Sequence, residues 1–378
     1  MRMLVLGAGR MGLGAVHDLV SQTDVTEVTV ADFDRSKADD IARRYPEKAR
    51  AAQIDCNDQA AVVALMRGHA SAVSCVNYWL NERLARAAVE AGTHFCDLGG
   101  NNDVVDAELA LDAEARAAGV NIIPDCGLAP GMVAVLAAHG ALQFETLDAI
   151  HIRVGGLPQT PKPPLDYQMV FSVEGLINEY IEPARVIRDG KVTIVDSMTE
   201  LETLLFPDPF GVMEAFQTSG GTSTLVETFL GKVRDLDYKT IRYPGHCAKF
   251  KTMIDLGLCS SELIEVDGVS VKPRRVLGDL LVKNLPHDEP DAVLVRVEFA
   301  GRSAGGGKRL RYDIIDRYDP ETGLSAMMRT TAFPASIVAL MMARNQTTSK
   351  GALPQERCIP PQLFMDELAK RKIDVMVT

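Results

Sequence analysis

Met3-Leu4-Val5-Leu6-Gly7-Ala8-Gly9-Arg10-Met11-Gly12 opens the chain with an apolar run, a Gly-x-Gly-x-x-Gly turn and the start of a helical stretch reaching residue 21. A strand feeding that glycine spacing and then a helix is the context in which the motif binds a dinucleotide. Gly7 permits the tight turn, Gly9 lets the backbone approach a diphosphate, and Gly12 lets helix and strand pack closely. Arg10 and Met11 complete the turn, where the unpaired N–H groups and dipole of a helix N-terminus favour an anion. Asp32 follows Gly12 by 20 positions, at the end of the next apolar run, where a carboxylate accepts from the adenosine-ribose hydroxyls. That placement favours NAD, and Arg35 stands near enough to leave NADP open.

The alternation of strand-like and helix-like segments continues outward from this turn. Residues 27–31, 71–76, 93–97 and 120–124 read as strands, and 37–44, 81–91 and 104–118 as helices. This pattern predicts an α/β fold with an N-terminal Rossmann domain, a doubly wound parallel sheet over residues 1–130. Ligands of such sheets bind outside the carboxyl ends of the strands. The rule adds Asp55, Cys56, Cys75, Val76, Asn77, Leu98 and Gly127 to the expected cofactor contacts, although Asp and Gly also mark ordinary turns.

Beyond Pro130-Gly131 the periodicity shifts towards two. Residues 292–299 and 309–315 flank the glycine-rich loop 301–307 as an antiparallel hairpin, so 131–329 reads as an α+β domain with a mainly antiparallel sheet that binds substrate and dimerises. Closed symmetric dimers are the commonest oligomers, which makes a homodimer the expected assembly. The apolar segment 333–343 and the amphipathic segment 362–370 belong to C-terminal helices, about 330–378, that return to the first domain.

Composition narrows the class of partner. With 47% hydrophobic and 24% charged residues the chain is ordinary for a globular protein, and a net charge of -11 argues against nucleic-acid binding. The opening apolar run is too short for a signal peptide and no stretch reads as a membrane span, so a cytoplasmic protein without membrane contact is expected. Seven cysteines with no CxxC pair and no zinc-like histidine spacing imply free thiols and no metal site.

Four segments then resemble the saccharopine dehydrogenase family, and within it the lysine 6-dehydrogenases. They are His94-Phe95-Cys96-Asp97-Leu98-Gly99-Gly100, Asp125-Cys126-Gly127-Leu128-Ala129-Pro130-Gly131, Phe171-Ser172-Val173-Glu174-Gly175-Leu176-Ile177-Asn178-Glu179-Tyr180 and Thr240-Ile241-Arg242-Tyr243-Pro244-Gly245-His246. The resemblance runs over nearly the whole chain and implies NAD-dependent oxidation of an amino acid at a carbon bearing nitrogen. For a lysine 6-dehydrogenase that means deamination of the ε-carbon to a semialdehyde that cyclises to a piperideine carboxylate. The Tyr-Pro-Gly-His ending departs from the Tyr-x-Gly-aromatic form of saccharopine-forming members. Reductive condensation of an amine with a carbonyl, as in saccharopine or carboxynorspermidine dehydrogenases, is the alternative, and a non-catalytic nucleotide sensor is another of a different class.

An amino-acid substrate needs its carboxylate held, for which the fork of Arg242 is suited, with the first N–H groups of a helix over 246–256 adding to the same anion site. Oxidising a C–N bond requires the amine to lose a proton. Asp97, Asp125 and His246 are the candidates for that catalytic role, although an isolated histidine is more often a structural donor and either aspartate can serve as a helix cap. Cys126 is expected to line the substrate site, with Glu174, Asn178 and Tyr180 on its far wall.

Overall fold

The computed structural model describes residues 1–170 and 172–378, which divide into two compact units. Phe171, quoted above with the family-like segments, lies outside the described residues. The first unit holds residues 1–143 and 328–375, the second 144–327 and 376–378. The helix Val133–Ala141 therefore falls in the first unit, where the change of periodicity had suggested the second.

In the first unit seven parallel strands form one sheet. β1 (Arg2–Leu6) lies between β2 (Glu27–Asp32) and β4 (Ser71–Ser74); β3 (Ala49–Gln53) flanks β2, and β5 (His94–Asp97) and β6 (Asn121–Ile123) continue beyond β4. Gly351–Ala352 adds a last strand beside β6. Central strands buried on both faces read as continuous apolar runs, as in Met3-Leu4-Val5-Leu6, and that is why they were legible in the sequence. β3, Ala-Arg-Ala-Ala-Gln at the sheet edge and half-exposed, has no such run and escaped detection. The segment 104–118 is two helices, Asn102–Leu109 and Asp112–Ala118.

Helix α1 (Arg10–Ser21) lies against the helix Ala326–Ala343 through small residues: a Cβ on Gly14 would meet the Ala332 Cβ at 2.9 Å. Ala326–Ala343 is long and apolar enough to cross a membrane, which the sequence reading did not register, but most of it is buried inside the protein. The same region closes with a buried ion triad. Arg371 grips both oxygens of Asp18, at 2.6 and 3.0 Å, and also bonds Glu367 at 2.6 Å, with all three side chains under a tenth exposed.

The second unit is built on a nine-stranded sheet. Its strands are antiparallel except that Thr146–Pro158 and Asp235–Arg242 run parallel. The predicted hairpin is present as Asp291–Ser303 paired with Gly306–Arg317, in register from Ala292↔Arg317 to Ser303↔Gly306. Register places Arg153, Lys239, Gln217 and Arg296 on one face, together with Leu157, Ile241 and Ala215. On that face Arg153 pairs with Asp237 at 2.8 Å and also with Glu202, and Arg296 with Asp313 at 2.7 Å. The opposite face carries Tyr238, Thr240 and Arg242 along one strand and Phe216 on its neighbour.

Removing one member of a buried pair leaves an uncompensated charge. Asp18→Ala is expected to destabilise the first unit by about 3–5 kcal/mol in denaturant unfolding, whereas Asp24→Ala, at the partly exposed Arg344 pair, should cost under about 1 kcal/mol.

Candidate active site

The parallel sheet reverses its winding direction between β1 and β4, the place where open α/β sheets bind ligands. A cavity of about 430 Å³ opens there. Gly7, Asp32, Asp55, Cys56, Cys75, Val76 and Asn77 line it, as do Phe33, Ile54, Asn57 and Leu80, which the sequence did not single out. Asp32 ties the glycine turn to β2: one carboxylate oxygen accepts from Ala8 N at 2.7 Å and the other from Asp34 N at 2.8 Å. Burial pushes the Cys56 thiol up to about 11 and the Cys75 thiol up as well, so both line the cavity as neutral groups.

The three glycines of the turn differ in what they serve. Gly7 has φ +100°, and a Cβ there would lie 2.8 Å from Cys75 O; a Cβ on Gly12 would lie 1.9 Å from Gly7 O. Both are required by the protein's own backbone. A Cβ on Gly9 meets nothing within 4 Å, so its absence keeps open a cradle that the folded chain itself does not fill. Gly9 also precedes α1 without a side-chain cap, and the first turn of α1 carries no acid to compete for its N–H groups. This cradle fits a diphosphate, with Arg10 exposed and Met11 half-buried beside it. Leu98 and Gly127 do not line the cavity; they pack on each other in the loops after β5 and β6, where a Gly127 Cβ would be 3.2 Å from Leu98 O.

Asp97 and Asp125, candidates above for the proton-transfer role, are turned into the protein. One oxygen of Asp97 accepts from Gly99 N at 2.6 Å and Asp125 N at 3.3 Å. The other faces Glu108, fully buried like Asp97 itself. Burial pushes the Glu108 carboxyl far up, the Asp97 charge adds to it, and burial raises Asp97 too. The pair is best described as one neutral Glu108 acid beside Asp97, whose charge the two N–H groups support. Asp125 is buried with φ +62°, and its carboxylate fills the space a Gly99 side chain would need. Asp97 therefore ties together the loops after β5 and β6 and presents no oxygen to a ligand. Cys126, expected to line the substrate site, is fully buried with its Sγ on Ile123 O at 3.2 Å, and burial holds it as a thiol.

In the second unit the chemistry gathers around Arg242. Its guanidinium is buried, lies over the Tyr167 ring at 4.8 Å and the Tyr180 ring at 5.8 Å, and donates from Nε to Tyr180 Oη at 2.8 Å and from Nη1 to Ile241 O at 2.9 Å. Tyr180 Oη in turn lies 3.1 Å from His246 Nε2, and His246 Nδ1 lies 2.9 Å from Leu165 O. A carbonyl only accepts, so Nδ1 carries the proton and Nε2 accepts from the tyrosine. Burial, and after it the charge of Arg242, lowers His246 to about 3. His246 is thus a neutral ring with both nitrogens engaged, stacked near Phe216 and Phe250, and it orients Tyr180 instead of shuttling protons.

Two other expectations change here. The helix after Gly245, His246–Asp255, spends its N-terminus on Glu214, which accepts from Gly245 N at 2.8 Å and Cys247 N at 2.6 Å, so those groups do not add to an anion site. Glu174 and Asn178, one helical turn apart on Val173–Ile181, both hold Arg274, at 2.9 and 2.6 Å, and so bind a residue of their own unit. On that helix Glu179, which sequence reasoning passed over, is the acid whose charge acts on Arg242. It is half-buried, and burial raises its carboxyl to about 7 against the lowering effect of Arg242. Its signal was available: it stands three positions after Leu176, a charge on the flank of the helix that buries Leu176, Ile177 and Tyr180.

Residues 3–123 match the family model described as the saccharopine dehydrogenase NADP binding domain, and residues 127–374 that of the saccharopine dehydrogenase C-terminal domain. The saccharopine dehydrogenase [NADP(+), L-glutamate-forming] of Saccharomyces cerevisiae is 22% identical over 70% of this chain; the match spans only 59% of that protein's length. The carboxynorspermidine synthase of Vibrio cholerae is 22% identical over 97% of this chain and 94% of its own. Among solved structures, apo saccharopine dehydrogenase (L-Glu forming) from Saccharomyces cerevisiae shares the fold with a TM-score of 0.83 at 19% identity, covering 100% of this chain and 99% of that one.

Gly9→Ala should leave the thermal midpoint unchanged and weaken dinucleotide binding by about tenfold or more, because the added Cβ stands in the cradle and holds the diphosphate off the helix N–H groups. Gly12→Ala should lower the midpoint itself. The buried acids give a pH dependence of known sign: groups whose carboxyls are raised on folding stabilise the protein fully only below their unfolded values, and that contribution is lost as pH rises. The thermal midpoint of the wild type should fall between pH 6 and pH 9, and Glu108→Gln should flatten that fall.

Proposed function

The chain belongs to the saccharopine dehydrogenase family, and we propose that it is a nicotinamide-dinucleotide-dependent oxidoreductase that oxidises the ε-carbon of L-lysine. The observation that carries this reading is Arg242: a buried guanidinium whose Nη2 has no partner among the described residues, held in a cage of aromatic rings. A buried cation with one donor edge left over is built for an anionic group of a ligand, and the carboxylate of an amino acid matches it.

In this reading the glycine cradle and the N-terminus of α1 hold the diphosphate, and Asp32 takes the adenosine-ribose hydroxyls. The carboxylate of Asp32 disfavours a 2′-phosphate and so supports NAD as the better cofactor. When bound, the nicotinamide ring supplies the hydride acceptor. On the substrate, the ε-carbon loses a hydride and the neutral amine a proton, giving a C=N bond. Water then adds and ammonia leaves, and the resulting aldehyde condenses with the α-amine, losing water, to the cyclic product. The chain's own part is to bind and orient: Nη2 of Arg242 anchors the carboxylate, and the Tyr180–His246–Leu165 line keeps the guanidinium from turning.

A second reading, the reductive joining of an amine to a carbonyl compound, is favoured by the similarity over almost the full length of both chains to the Vibrio cholerae carboxynorspermidine synthase. The two separate in one assay that follows absorbance of the reduced cofactor. Purified protein with L-lysine and NAD should form reduced cofactor and ammonia with no second organic substrate, and NADP should serve less well. Silence with free amines, together with consumption of reduced cofactor when an amine and an aldehyde or keto acid are supplied at once, would establish the condensing reaction instead. Arg242→Lys keeps the charge but loses the fork, and should raise KM for L-lysine by about tenfold or more with a smaller change in kcat.

A further inference from the structure

We propose that Lys350 carries an uncharged, nucleophilic amine and is a site of covalent modification by aldehydes. The inference concerns the first unit alone and is independent of the reading of Arg242.

Lys350 stands half-buried just before the short strand Gly351–Ala352, which pairs with β6. Its Nζ lies 3.3 Å from Nε2 of His94, the first residue of β5, and 2.9 Å from Asn345 Oδ1. That is the amino end of β5, whereas the dinucleotide cavity opens at the carboxyl ends of the strands. The hydrogens of this group can be counted. Asn121 N is a backbone donor and meets His94 Nδ1 at 2.9 Å, so Nδ1 carries no proton. A ring that accepts at Nδ1 has its proton on Nε2, and that N–H faces Lys350 Nζ. An ammonium has three donors and no acceptor, so a charged Lys350 would set donor against donor. An uncharged amine closes the pattern: its lone pair accepts from His94 Nε2, and one of its own hydrogens goes to Asn345 Oδ1.

The surroundings agree. Two other covered lysines meet acceptors only: Lys48 donates to Val20 O and Gln22 O at 2.9 and 2.7 Å, and Lys239 to Glu200 O and Glu202 at 2.7 and 3.3 Å. Lys350 forms no ion pair among the described residues. The acid beside its strand, Asp112, accepts from Ala352 N at 3.0 Å and is already paired with Arg116 at 2.8 Å. Burial lowers the Lys350 amine and lowers His94 to about 4, so the ring is neutral at pH 7. A free amine has an electron pair to give. Attack of that pair on the carbonyl carbon of an aldehyde, with loss of one water, leaves a C=N bond to Nζ and consumes no oxidant or reductant. Both Nζ hydrogens leave in that water, so the bond to Asn345 is lost on modification, while His94 Nε2 still has a nitrogen to donate to.

The test is reductive methylation of the full-length protein with limiting formaldehyde and cyanoborohydride, which traps the imine. Nα-acetyl-lysine in the same tube serves as an ordinary amine, and peptide mass spectrometry reads the label at Lys350. At pH 7 Lys350 should react about tenfold or more faster than the standard, because an amine holds about tenfold more free base for each unit by which its pKa falls. That ratio should shrink between pH 7 and pH 9, since only the standard gains free amine. Asn345 is exposed with φ +54°, a conformation aspartate also adopts, so Asn345→Asp should fold and set a carboxylate beside Nζ. It should recharge the amine and cut the labelling at pH 7 by about tenfold. A ratio that stays level with pH would show an ammonium and overturn the inference, as would labelling unchanged by Asn345→Asp. Absence of label at every pH would overturn it too, by showing that the amine takes no aldehyde.

Discussion

The approach of α1 to β1 is the constraint on which the first unit depends. With Gly12 the helix backbone comes so close to Gly7 O that a single methyl group would occupy the same space, and this closeness sets the angle at which the helix leaves the sheet. Because the cap position is Gly9, no side chain caps the first N–H groups of the helix, and no acid of its first turn competes for them. The ligand cradle is thus a by-product of the packing. Gly7 and Gly12 serve the fold, Gly9 serves the space, and Asp32 braces the turn from the neighbouring strand through Ala8 N.

A second theme is the handling of buried charge. The protein places ionised groups under cover in both units and nearly always matches them, as in Asp18 with Arg371 or Arg153 with Asp237. Against that background the unmatched groups stand out. The Asp97–Glu108 pair is one kind, solved by keeping a proton, so that it ties two loops and contributes no charge to a ligand. Arg242 is the other kind, its Nη2 left with open capacity inside a set of aromatic rings that orient but do not neutralise it. Polar capacity without a partner in the fold is what a binding site looks like from the inside.

His246 shows how the same residue changes meaning with its surroundings. As a sequence letter beside Arg242 it offers a proton shuttle at neutral pH. Placed against Leu165 O and Tyr180, among Phe216 and Phe250, it becomes a fixed donor and acceptor that holds one tautomer. Its effect on the site passes through Tyr180 to Arg242, a positioning role.

The chain's own order of residues was sufficient for what is local or repeated: the apolar runs of β1, β2 and β4, the glycine turn, Asp32, and the hairpin that turns between Ser303 and Gly306, all of which depend on neighbours within a few positions. Where the pattern was weak, as at the edge strand β3 or the break between Asn102–Leu109 and Asp112–Ala118, it was missed. What the tertiary structure alone decided is the state of each polar group. Glu108 is 11 positions from Asp97, Leu165 is 81 from His246, and Glu214 is 31 from Gly245, and each partner determines whether its mate is charged, neutral, capped or free. Desolvation and hydrogen bonding act through space at distances of a few ångströms, so a residue's chemistry is set by which distant segments fold against it, and no spacing along the chain records that.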